Sequence, residues 1–98
     1  MEKRRPHYNL STIQDFIKEK KYFITGSAYT GALALSFDED DILNAAMSLT
    51  HKNFYKSMTS YKNHKIWQDV YHLTYKDVKL YIKLQLTDKA VVISFKKK

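Results

Sequence analysis

No cysteine occurs among the 98 residues, which excludes a disulfide framework and a thiolate zinc site and fits a reducing compartment. Only one proline and two glycines are present. Both glycines, Gly26 and Gly31, lie in the first third of the chain, so turns further on must use other residues, and Asn63, Asp77 and Asp88 are placed to supply them. Apolar runs long enough to cross a membrane are absent. The basic start Lys3-Arg4-Arg5 leads into Pro6-His7-Tyr8-Asn9 instead of an apolar stretch, so no secretory signal is expected and the cytoplasm is the expected location. Acidic residues are scarce in the second half: residues 50–98 carry +8, whereas residues 1–49 carry −1.

That segregated charge favours a polyanionic partner. The same half is rich in rings, with Phe54, Tyr55, Tyr61, Trp67, Tyr71, Tyr75 and Tyr81 set among lysines. Ammonium groups meet phosphates and exposed ring faces stack on unpaired bases, so the combination suits single-stranded nucleic acid. Most such rings nevertheless fill strand cores, because aromatic residues pack well on a half-buried pleated surface.

Read in order, residues 1–9 form an extended or irregular basic arm, with Pro6 biasing Arg5 away from helix. Ser11 and Gln14 have capping-box spacing, and Ile13, Phe16 and Ile17 share one helical face, which predicts a helix over Thr12–Lys20. Tyr22–Thr25 is a brief strand or extended link. Alanines and leucines predict a helix over Ser27–Leu35, weakened by Gly31. Ser36 to Glu39 repeats the capping spacing, and the acids through Asp41 suit the N-terminus of a further helix with Ile42, Leu43, Ala46, Met47 and Leu49 on its apolar face. They lack a calcium-loop pattern.

After Thr50 the period changes to two. Leu80, Ile82, Leu84 and Leu86 alternate with Lys79, Tyr81, Lys83 and Gln85, and Val91, Ile93 and Phe95 mark a last strand. Together with Phe54–Tyr61 and Ile66–Tyr71 this predicts an antiparallel meander of four strands behind N-terminal helices, an α+β fold in one domain spanning residues 1–98. Neighbouring strands can bring Lys56, Gln68 and Tyr81 to one face, depending on register.

These residues sit in segments that resemble the motility quorum-sensing regulator toxins, MqsR. The resemblance rests on Met1-Glu2-Lys3-Arg4, Pro6-His7 and Leu10-Ser11, on Phe54-Tyr55-Lys56-Ser57-Met58-Thr59 with Tyr61 and His64, on Ile66-Trp67-Gln68-Asp69-Val70-Tyr71, on Tyr81 with Lys83, and on Ser94-Phe95-Lys96. It implies an N-terminal helical layer packed on an antiparallel sheet, a RelE-like single domain. It also implies an mRNA interferase, the toxin of a type II toxin-antitoxin system, with Lys56, Gln68 and Tyr81 at the positions associated with activity. RNA contacts are expected from Lys83, Lys96, His64, Met58 and His7. The implied partners are single-stranded mRNA and a cognate antitoxin with a zinc-binding domain and a helix-turn-helix domain. His72 departs from the family, standing where an arginine is familiar, which bears on substrate preference.

RNA can be cut without a metal when its own 2′-hydroxyl attacks the adjacent phosphate, so no cofactor is expected. Lys56 would then stabilise the phosphorane, Gln68 orient the phosphate or a base edge, and Tyr81 handle a proton. A phenol titrates near 10, so Tyr81 can act as a base only if neighbouring ammonium groups lower its pKa, which predicts a rate rising on the alkaline side. A flat or acid-favoured profile would instead point to His64 or His7. The alternative is a non-catalytic module that binds RNA or an antitoxin.

Overall fold

The computed structural model describes residues 1–98. Its elements are β1 (Glu2–Lys3), α1 (Leu10–Lys18), β2 (Tyr22–Ile24), α2 (Gly26–Leu33) and α3 (Glu39–Ser48), followed after a 3-10 turn at His51–Asn53 by β3 (Phe54–Thr59), β4 (Trp67–Tyr75), β5 (Val78–Leu86) and β6 (Ala90–Lys97). The strands form one sheet in the order β1-β3-β4-β5-β6-β2. The fold is α+β, and the predicted four-strand meander is its centre. The sheet is mixed, however, and not wholly antiparallel: β2 pairs in parallel with β6, Tyr22 opposite Ala90 and Ile24 opposite Val92. An extended link beside an unpaired strand edge satisfies its backbone there, which a meander pattern does not foretell. The N-terminal arm is also ordered, with β1 pairing antiparallel to β3.

Two caps differ from their sequence signatures. Asn9, not Ser11, caps α1 by accepting from the Thr12 N–H. Gln14 instead donates across the helical layer to the carbonyls of Ala46 and Leu49, tying α1 to the end of α3. Asp38 and Asp41 form the reciprocal box of α3, so Ser36 and Glu39 are displaced from that role. Ser36 takes a left-handed backbone at φ 62°, the conformation that closes a helix C-terminus. Glu39 accepts instead from the hydroxyls of Tyr22 and Tyr29, which pushes the Tyr29 phenol up to about 12. Asp41 also receives Lys76 and Tyr75 from the β4–β5 turn, and that ammonium, the first cause, holds its carboxyl at about 2.

The helices cover one side of the sheet. Leu80, Ile82 and Leu84 of β5 enter the core with Ile13, Ile42, Tyr71, Val92 and Phe95. Each large aliphatic chain so buried contributes about 2 kcal/mol before entropy is counted. The turn between β4 and β5 places both Lys76 and Asp77 at positive φ, as a tight hairpin requires. The opposite face of the sheet has no helix over it, and there the polar residues of the meander collect.

Candidate active site on the open face of the sheet

Alternation along each strand and the pairing between strands decide which side chains share a face. Lys56 of β3 pairs with Val70 of β4, Val70 with Lys83 of β5, and Lys83 with Ser94 of β6. One row away lie His72, Tyr81 and Lys96; in the other direction lie Met58, Gln68 and Gln85. Because Leu80, Ile82 and Leu84 face the helices, all these residues face the other way. The structure therefore brings Lys56, Gln68 and Tyr81 to one side of the sheet, from three adjacent strands. At their centre, Val70 is fully buried yet outside the main core, roofed by the long side chains around it.

Tyr81 is the ring on which the cations gather. The Lys96 ammonium lies 5.0 Å and the Lys83 ammonium 5.9 Å from its centroid, within cation–π range. The nearby charge of Lys56 lowers the phenol's pKa, as anticipated, but burial outweighs it and the net shift is upward. The condition for Tyr81 to act as a base is thus not met: burial makes it hold its proton more firmly than a free tyrosine. Burial, with the ammonium groups of Lys96 and Lys56 adding to it, lowers the pKa of Lys83. Lys56 moves up instead, because Glu2 on β1 accepts a hydrogen bond from its ammonium at 2.6 Å. Gln68 is buried and donates to the Gln85 side chain at 3.3 Å.

Two further rings complete the face. A β-bulge between Phe54 and Lys56 breaks the alternation of β3, so Tyr55 and Lys56 both reach the open side. Tyr55 stacks on His72 with centroids 4.3 Å apart and planes 22° from parallel. The Arg4 guanidinium lies 5.8 Å from the Tyr55 ring. Sequence reading assigned neither Tyr55 nor Glu2 a role at the site, since a bulge and a two-residue edge strand leave no periodic signal. His72 was accessible from parity, standing four residues after Gln68 on one strand.

The remaining candidates divide. Met58 and His64 share a shallow depression of about 420 Å³ with Tyr61 at the β3–β4 turn, next to Gln68 but away from Tyr81. His7 does not join the site. Its backbone N–H, with that of Tyr8, donates to the buried carboxylate of Asp69, and its ring stacks on Trp67 at 5.5 Å, on the helix side of the sheet. The need to satisfy Asp69 pins the arm there. Nowhere in the fold are three or more His, Cys, Asp or Glu side chains grouped as a metal site would need, and no helix is long and apolar enough to cross a membrane.

Residues 5–97 match the family described as motility quorum-sensing regulator, toxin of MqsA. The chain is also 38% identical over 98 residues to the mRNA interferase toxin MqsR of Escherichia coli (strain K12), with the whole of both chains covered.

Proposed function

The chain belongs to the motility quorum-sensing regulator toxin family, and on that premise we propose that it is an endoribonuclease that cuts single-stranded mRNA by attack of the RNA's 2′-hydroxyl on the adjacent phosphate. The observation that carries the reading is the gathering of an ammonium, an amide and a phenol, from Lys56, Gln68 and Tyr81, around Val70 on the open face. A tethered 2′-hydroxyl needs no separate nucleophile, so the protein's share is charge stabilisation, orientation and proton transfer.

Lys56 neutralises the phosphorane, exchanging its Glu2 partner for phosphate oxygens. Gln68 orients the phosphate or a base edge, its position set by Gln85. Tyr81, whose phenol is raised by burial, acts as donor and protonates the departing 5′-oxygen, a far stronger base than a phenolate. Lys83 and Lys96 hold flanking phosphates, and Met58 with His64 takes a neighbouring nucleotide. The products are a 2′,3′-cyclic phosphate and a free 5′-hydroxyl. The partner that silences this toxin is an antitoxin of the MqsA kind, which the family resemblance furnishes with a zinc-binding domain and a helix-turn-helix domain.

Incubating the purified protein with single-stranded RNA in excess chelator tests the reading. Cleavage with cyclic-phosphate ends is expected, and Lys56→Ala and Tyr81→Phe should each lower the rate by about 10²–10³-fold, in line with the loss of a transition-state donor. RNA that is bound but remains intact would establish the non-catalytic alternative.

A further inference from the structure

With the Tyr81 phenol assigned to the leaving oxygen, the 2′-hydroxyl still needs a group to take its proton. Lys56, Lys83 and Lys96 enter as ammonium groups with no lone pair to accept one. Glu2 is the one carboxylate on this face, and it stands on the edge strand β1 in the row of Met58, with β3 and β4 between it and the strand that carries Tyr81. His7 lies on the other side of the sheet, His51 in the 3-10 turn, and His64 at the far hairpin beside Met58.

We propose that His72 is the proton acceptor for the attacking 2′-hydroxyl. This rests on the endoribonuclease reading above. The imidazole is paired across the strands with Tyr81, 6.1 Å between centroids, and is clamped on its other side by the Tyr55 ring. The bulge that turns Tyr55 onto this face is therefore what fixes the imidazole plane, and a base held in one orientation is what proton transfer needs. Beside it opens a depression of about 230 Å³ with Lys79 and Lys98 on its rim, suited to the next phosphate.

The groups facing His72 are Tyr55 and Lys56 from β3, Tyr81 and Lys79 from β5, Lys96 and Lys98 from the end of β6, and Arg4 beyond Tyr55. Glu2 is engaged by Lys56. Burial, reinforced by Lys98, lowers its pKa, so the imidazole is neutral and able to accept a proton at neutral pH. In the step itself the O2′–H proton passes to the imidazole as the O2′–P bond forms. The P–O5′ bond breaks, O5′ takes the Tyr81 proton, and the imidazolium and phenolate return to their starting states through solvent.

Single-turnover cleavage of a short single-stranded RNA, followed from pH 4.5 to 9 in chelator, tests the assignment. The wild-type rate should rise through an apparent pKa below about 6.5 and then level off. His72→Gln should lose about 10²–10³-fold and that limb, while binding a 2′-O-methyl RNA within about two-fold of wild type. A substrate with sulfur in place of O5′ leaves without protonation, so it should restore Tyr81→Phe but not His72→Gln. Retention of both rate and limb by His72→Gln overturns the proposal, as does full rate in His72→Arg, which would make the position a phosphate-binding cation. Absence of cleavage by the wild-type protein overturns the endoribonuclease reading itself, and the role of His72 with it.

Discussion

The ammonium of Lys56 lies 2.6 Å from a carboxylate oxygen of Glu2, fifty-four positions earlier in the chain. The two-residue strand β1 makes this contact possible, pairing Glu2 opposite Met58 on the edge of β3. In the absence of RNA the proposed phosphate-binding cation is thus already engaged, and an incoming phosphate competes with a carboxylate for it.

Glu2→Gln should therefore strengthen RNA binding without adding a catalytic group. Exposed ion pairs are weak, so KM should fall by only about two- to five-fold with kcat nearly unchanged. The difference should shrink as salt is raised. Steady-state kinetics at two ionic strengths check this, and a loss of kcat would mean that Glu2 instead positions Lys56 for the reaction.

Gly31 faces the backbone of β6 where α2 crosses it. A Cβ added there would fall inside the van der Waals shell of the Phe95 carbonyl oxygen, and a backbone atom cannot swing aside. Gly31→Ala should cost about 2–3 kcal/mol and lower Tm by roughly 10–20 °C in a domain of this size. Gly26→Ala, with open space around its Cβ position, is the control and should leave Tm near that of wild type or slightly above it.

Tyr71 is fully buried, and its hydroxyl has no hydrogen-bond partner. Burial pushes the phenol's pKa up, and the polar oxygen is kept from water without compensation. Tyr71→Phe removes the unpaired group while keeping the ring that packs edge-on against Phe54. Stability should rise by up to about 1 kcal/mol, read as an increase in Tm by differential scanning calorimetry. A fall of that size would reveal a partner for the hydroxyl in solution.

The sequence alone determined most of the elements and which polar groups they carry. A period of two places Leu80, Ile82 and Leu84 on one side and Tyr81 and Lys83 on the other, because successive side chains of a strand point to opposite faces. Basic groups and rings concentrated in the second half marked the partner as polyanionic, and the blocks around Lys56, Gln68 and Tyr81 marked the family. Tertiary structure decided what depends on register and on contacts distant in sequence. The bulge that delivers Tyr55 to the open face, the carboxylate of Glu2 against Lys56, and the buried Asp69 that draws His7 to the wrong side of the sheet leave no local pattern. The direction of the Tyr81 shift was likewise out of reach: counting neighbouring lysines predicts a fall, but the phenol's burial among three strands opposes their field and wins, and that balance exists only once the strands are assembled.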